Sequence, residues 1–236
     1  AFEGSGVTCG MRASRGAIQK IKINPETFEV TYSTILDTPA SGICGSGYID
    51  AIAELLRAGI IDRGGKFDPK LIHRRIREGE YGREFVLAFK EGLGTTVDLI
   101  INEMDIENLK RAKGAIYAAS AMLVNHMGFG FNDLEQVYIG GGFGTYVDMP
   151  NAIFIGLLPD LPREKFVFVG NSSLVGARQI LLSHEAIIDA DEIAKKITYF
   201  ELSVEPGYMD EYMASLFFPH TDLSKFPSVS GKKSSP

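Results

Sequence analysis

The sequence predicts an α/β fold, and three observations carry that expectation. Apolar residues first recur with period two, the spacing of a half-buried strand, and then at i+3 and i+4, the spacing of a helix face. The last third repeats a strand, turn and helix scheme, which argues for a largely parallel sheet flanked by helices. The chain has 236 residues, 45% hydrophobic and 23% charged, which suffices for one large core or two smaller ones.

The elements follow in order. AFEGSGVTCGMRASRGA opens the chain with glycines and no leading strand, and reads as a piece of something longer. AIQKIKIN and FEVTYSTI place Ile21, Ile23, Phe28, Val30 and Tyr32 at alternate positions around Asn24-Pro25, a hairpin whose proline sets φ and withholds a donor. SGICGSGYIDAIAELLRAGIID turns helical, with Ile49, Ile52, Ala53, Leu56 and Ile60 on one stripe and Gly59 marking its end. Residues 62 to 82 are charged and glycine-rich, and Arg74, Arg75 and Arg77 read as a solvated helix face.

EFVLAF and TVDLII then read as strands, and a long helix runs from about Asp105 to Met127. Ile106, Leu109, Ile116, Leu123 and Met127 should hold its buried face, with Gly128 to end it. QVYI leads into GGGFG, KFVFVG into NSSLVGARQILL capped by Asn171 or Ser172, and ITYFEL into the segment around GYMDEYMASLFF. The tail SVSGKKSSP has a disordered composition.

A net charge of −6 and a pI near 5.3 argue against partners that are nucleic acids or anionic membranes. No apolar run approaches the ~20 residues of a membrane helix, so the expected setting is soluble and cytoplasmic. Cys9 and Cys44 stand outside any C-x-x-C or Cys/His cluster, which leaves a disulfide framework, structural zinc and a four-thiolate iron–sulfur cluster poorly supported. His73, His126, His184 and His220 lie far apart and read as structural or exposed, so no metal site is assigned.

The stretch VYIGGGFG carries the chemistry. A P-loop requires GxxxxGK followed by a hydroxyl residue, and GIIDRGGKF puts a glycine in the lysine position and has no hydroxyl residue after it. A Rossmann loop starting at Gly140 or Gly142 would need its third glycine at Thr145 or Val147. Both templates fail. What remains is bare backbone after a strand, where a planar ring or a ribose can come close, or a sharp strand-to-helix turn.

Several motifs agree in order and spacing. AFEGSGVTCGMRA, SGICGSGYIDAIAELLRAGIID, DIENLKRAKGAIYAASAMLV, VYIGGGFGTYVD, AIFIGLLPD and GNSSLVGARQILL together resemble the ATPase part of the reductive activators of corrinoid proteins, in the acetate and sugar kinase/Hsp70/actin superfamily. The resemblance extends over nearly all of residues 1 to 227. It implies a ribonuclease H-like, actin/Hsp70-type ATPase fold, with a mixed sheet and flanking helices, incomplete at its N-terminus. Residues 1–104 would form a hairpin and glycine-turn lobe, 105–227 an adenosine-motif lobe and 228–236 a disordered tail.

The resemblance also implies roles. Gly141, Gly142 and Gly144 would line adenine and ribose with Phe143 alongside. Gly45, Ser46 and Gly47, opening a helix, would offer N–H groups to a phosphate or ribose edge, or else form a serine cap flanked by permissive glycines. Glu3 would face the nucleotide or its metal shell, the plainer option being burial near Arg12. One of Lys110, Arg111 and Lys113 would stack on adenine, or all three are simply solvated.

The implied cofactors are ATP or ADP with Mg²⁺, and an iron–sulfur cluster only in a domain outside this chain. The implied partner is a corrinoid protein, with a homodimer as a further expectation. The superfamily's two phosphate-gripping Asp-Gly hairpins have no counterpart here, so the chain is expected to bind nucleotide with little or no turnover, its catalytic residues unassigned. In the parent protein, ATP would drive one-electron reduction of Co(II) to Co(I) in a corrinoid protein of a methyltransferase or demethylase system. Two rivals stay open: a small-molecule kinase of the same superfamily, and a non-enzymatic module that docks a protein partner.

Overall fold

A computed structural model describes residues 6–91, 93–141 and 146–230. Glu3, Gly142, Phe143 and Gly144 lie outside the described residues, as does the end of the tail beyond 230. Strands β1 (Ala17–Ile23) and β2 (Val30–Thr34) form the expected antiparallel hairpin. Its turn is held less by Pro25 than by Asn24, whose Oδ1 accepts from the N–H groups of Glu26 and Thr27, both at 2.9 Å. β3 (Gly42–Ile43) adds to β1 in parallel.

Helix α1 (Gly45–Arg57) lays its apolar stripe on this sheet. Ile49, Ile52 and Ala53 are fully buried there. Ala58 and Gly59 close the helix by donating to Glu54 O and Leu56 O, and Gly59 takes the left-handed φ of +66° that ends helices readily.

The charged region becomes a meander. β4 (Ile76–Gly79), β5 (Gly82–Ala88) and β6 (Leu99–Asn102) pair antiparallel in that order. The sheets are mixed, as the resemblance implies, rather than largely parallel as the repeat in the last third suggested, and the basic run is no solvated helix face. Arg77 is in β4, while Arg75 is 6% exposed, with Nη1 donating to Val86 O at 3.0 Å and Leu87 O at 3.2 Å and Nη2 donating to Glu29 at 2.8 Å. Backbone carbonyls and a carboxylate receive both terminal nitrogens of this buried guanidinium, while its Nε has no partner among the described residues.

Helix α2 (Glu103–His126) starts on a capping box: Asn102 Oδ1 accepts from Asp105 N at 2.9 Å, and Asp105 Oδ2 accepts from Asn102 N at 3.2 Å. Thr8 joins it, its N–H donating to Asp105 Oδ1 at 2.7 Å and its hydroxyl accepting from Asn102 Nδ2 at 2.7 Å. This straps the start of the chain to α2. Ile106 and Leu109 are buried as expected, but Ile116, Leu123 and Met127 are 48%, 50% and 63% exposed. The buried face runs instead through Lys113, Tyr117 and Ala121.

Strand β7 (Val137–Gly140) is followed by α3 (Met149–Phe154), then by β8 (Phe166–Gly170), which pairs with β7 in parallel. Val137, Ile139 and Phe166 pack onto a second core with Tyr117, Ala121 and Phe226. Helices α4 (Ser172–Leu182) and α5 (His184–Lys196) contain no buried residue. The expected strand ITYFEL does not form: Ile197 and Tyr199 are 74% and 79% exposed, and among the described residues no strand pairs with this segment. α6 (Tyr208–Ser215) packs along α2, and α7 (Pro227–Ser230) gives the predicted tail a short helical start. Among the described residues no helix is long and apolar enough to cross a membrane.

Candidate functional site

The parallel pair β7 and β8 ends in glycine on both strands, Gly140 opposite Gly170. The register slips there, leaving Val169 as an extra residue in β8, an irregularity of the kind found where a strand is re-aimed at a site. Gly141 and Gly170 have φ of +86° and +61°. A Cβ built on either meets no heavy atom within 4 Å. Two left-handed glycines thus face open space at the carboxyl ends of adjacent parallel strands, which is where open α/β sheets bind ligands. They allow the backbone to be approached closely.

Beside them Asn171 caps α4, its Oδ1 accepting from Leu174 N at 3.0 Å, and so directs the first turn of an eleven-residue helix to the same end of the sheet. Ser172 Oγ lies 3.1 Å from where a Gly140 Cβ would be. Bare backbone, a hydroxyl and the positive end of a helix form a cradle suited to a ring with a polar or anionic edge. Sequence reasoning used this second strand end only as a cap signal. The G-N-S-S turn after a strand was the available clue.

The other expected residues lie elsewhere. Gly45, Ser46 and Gly47 are buried against the hairpin. A Cβ on Gly47 would stand 2.3 Å from the Ile18 carbonyl oxygen, so this glycine lets α1 pack close to β1. The cap of α1 is Cys44, without a side-chain bond, and Ser46 sits inside the helix with Oγ 3.3 Å from Cys44 Sγ. The serine-cap reading is therefore corrected.

Lys110 is 8% exposed, donating to Gly64 O at 2.6 Å and pairing with Glu107 at 2.7 Å. Lys113 is fully buried and donates to Phe217 O and, at 2.6 Å, to Pro219 O. Burial, with Lys110 and Arg63 nearby, pulls its pKa down to about 7. These two lysines hold protein backbone; of the three expected cations only Arg111 is exposed.

The two glycine motifs are nevertheless joined. Asp148, just after the GGGFG segment, caps α3 by accepting from Asn151 N at 3.0 Å. Asn151 Nδ2 donates to Asp50 Oδ1 of α1 at 2.7 Å, and Asp50 Oδ2 accepts from Ile21 N at 3.3 Å. Burial raises the Asp50 pKa, opposed first by the bond from Asn151.

Among the described residues no group of three or more His, Cys, Asp and Glu is placed to hold a metal ion. Cys44 is buried with its thiol donating to Ile18 O at 3.3 Å, and burial pushes the Cys9 thiol up. Neither suits an iron–sulfur cluster.

Comparison with known proteins agrees with the fold. The family described as the C-terminal domain of RACo, the ASKHA domain, matches residues 1–230. Corrinoid activation enzyme RamQ of Eubacterium limosum is 36% identical over 225 residues, covering 92% of this chain and 38% of that protein. The Co(II) methylated amine-specific corrinoid protein reductase of Methanosarcina barkeri is 34% identical over 242 residues, covering 92% of this chain and 40% of its own length. A solved structure titled reductive activator for corrinoid, iron-sulfur protein superposes with a TM-score of 0.91 at 51% identity, over 97% of this chain and 36% of that one. The chain therefore spans 36% to 40% of the length of these proteins.

Proposed function

The chain belongs to the family of RACo C-terminal ASKHA domains, and from that premise we propose that it is the ATP-binding part of a reductive activator acting on a corrinoid protein. In the whole protein, ATP binding and hydrolysis would favour one arrangement of the parts over another through differential affinity, and so drive the transfer of one electron from an iron–sulfur domain outside this chain to the corrinoid cobalt, taking Co(II) to Co(I). A cytoplasmic setting, association into a homodimer and Mg²⁺ with the nucleotide belong to the same proposal. A nucleoside triphosphate brings its cation with it.

The observation that carries the reading is the pair of bare, left-handed glycines, Gly141 and Gly170, at adjacent parallel strand ends beside the first turn of α4. Gly141 and Gly170 would pass a purine nucleoside close to the backbone, and a part for Gly142, Phe143 and Gly144 rests on the family resemblance. The N–H groups of α4's first turn would meet its electron-rich edge. Gly45, Ser46, Gly47 and Lys110 would act at a distance, by seating α1 and α2, and a part for Glu3 at the nucleotide or its metal shell rests on the family resemblance.

Calorimetric titration with ADP tests this. Gly170→Asn keeps a residue tolerant of left-handed φ while placing a side chain in the cradle, so it should abolish binding that the unaltered chain shows. No heat from the unaltered chain at millimolar ADP overturns the reading.

A further inference from the structure

We propose that the hollow between the end of α1, α3 and α7 is a binding site for a small amphipathic carboxylate, whose apolar body rests on Ile153, Phe154, Leu161 and Val229 and whose acid group is held by Arg57 and Arg163. The inference goes beyond the nucleotide reading and does not depend on it.

The hollow has a volume of about 520 Å³ and a lining that is mainly apolar. Small-ligand pockets have this size and this make-up, an apolar surface with a few placed polar groups that fix orientation. The floor is firm. Ile153 and Leu161 are 5% and 4% exposed and belong to the second core, against which Val229 packs. Pro150 and Pro162 stand in the walls, where a fixed φ limits local motion.

Two cations share this lining. Arg57 ends α1 with its guanidinium carbon 4.4 Å from the centroid of the Phe154 ring and its Nη1 donating to Glu54 at 2.7 Å. The side chain is therefore ordered before a ligand arrives, which lowers the entropic cost of using it. Glu54 does not cancel its charge, because the same carboxylate also accepts from Lys22 and from Ile23 N, both at 3.1 Å. A guanidinium has five N–H donors, and Glu54 takes one of them. Arg163, in the turn before β8, is exposed and forms no ion pair among the described residues.

The acid in the lining is Asp160, and Ser228 occupies it: Oδ2 accepts from Ser228 N and Oδ1 from Ser228 Oγ, both at 2.7 Å. Two cations and one anion leave the hollow positive on a chain whose net charge is −6. That excess selects an anion. The apolar floor selects one with an apolar body, since bare phosphate would leave Ile153, Leu161 and Val229 uncovered. A single carboxylate matches the charge and suits the guanidinium fork, which can meet it with two parallel N–H bonds.

The probe is phenylacetate, titrated into the unaltered 236-residue chain and followed by amide chemical shifts. Phenylacetamide keeps the body and drops the charge, and acetate keeps the charge and drops the body. Phenylacetate should bind saturably, with shifts centred on residues 150–163 and 226–229, and each comparison compound should bind about tenfold more weakly or worse, the scale of a lost charge-assisted contact. Arg163→Gln alters an exposed side chain and should weaken phenylacetate by about tenfold; Val229→Glu puts an acid on the floor and should abolish binding. Shifts elsewhere in the chain must stay unchanged in both variants, which shows them folded. Absence of saturable shifts at millimolar phenylacetate, equal binding of phenylacetamide, or full affinity in Arg163→Gln would each overturn the proposal.

Discussion

Gly47→Ala separates packing from ligand contact in the G-S-G turn. The added Cβ would stand 2.3 Å from Ile18 O, 2.9 Å from Ile43 Cγ2 and 3.2 Å from Ile18 C. A carbon settles against a carbonyl oxygen at about 3.3 Å or more, so α1 and β1 would have to part by about 1 Å. Backbone meets backbone here, and no rotamer change relieves it. Moving Ile18 also strains its acceptance from Cys44 N at 3.1 Å. Overpacking costs about 1–3 kcal/mol, and this contact belongs at the upper end, offset by the roughly 1 kcal/mol that alanine gains over glycine in a helix. The net loss is about 2 kcal/mol, or a fall of roughly 4–8 °C in Tm for a chain of this size. Thermal melts followed by circular dichroism would read it. Gly176→Ala, in α4 with no heavy atom within 4 Å of its Cβ, is the control and should raise Tm. Equal shifts for both variants, or an unchanged melt for Gly47→Ala with lost ADP binding, would refute the packing argument.

Other outcomes follow from the same geometry. Lys113 has a folded pKa of about 7 against an ordinary 10.5, so between those values the unfolded chain binds the extra proton and stability rises with pH; denaturant titrations of the unaltered chain should show a slope over that window that Lys113→Met lacks, and parallel curves would contradict it. Asn102→Ala removes the side-chain acceptor of the α2 capping box and should cost about 0.5–2 kcal/mol, with Thr8 losing amide protection in hydrogen exchange; retained protection would mean that the strap does not depend on the box. Leu181 and Ile188 are 84% and 50% exposed, so Leu181→Lys and Ile188→Lys should leave stability within about 0.5 kcal/mol while lowering light scattering at high concentration; a large fall in Tm would show these residues buried in solution.

Local signals in the sequence carried most of the fold. The hairpin around Asn24-Pro25, the α1 stripe, Gly59 and Gly128 as terminators and the Asn171 cap all depend on residues within a few positions of one another. What escaped depends on partners far along the chain. Lys113 turned the buried face of α2 away from Ile116 and Leu123 because carbonyls of Phe217 and Pro219, more than a hundred residues later, receive its ammonium. Arg75 was misread for the same reason, its partners being two β5 carbonyls and Glu29. ITYFEL has strand composition, but β propensity describes fit to a neighbouring strand, and among the described residues none pairs with it.

The candidate site divides along the same line. Its glycines were legible because a missing Cβ is a property of one residue, and the run of them after β7 is visible in any window. Their partner Gly170 was not, because only the parallel pairing of two strands about thirty residues apart brings it opposite Gly140. Asp50 and Asn151 are further still from notice: each is an ordinary polar residue in a helix, and a hundred and one positions separate them. Burial is what gives them meaning. A carboxylate in water has no need of one particular amide, whereas at 2% exposure it must find donors nearby, and the donor it finds stands in α3.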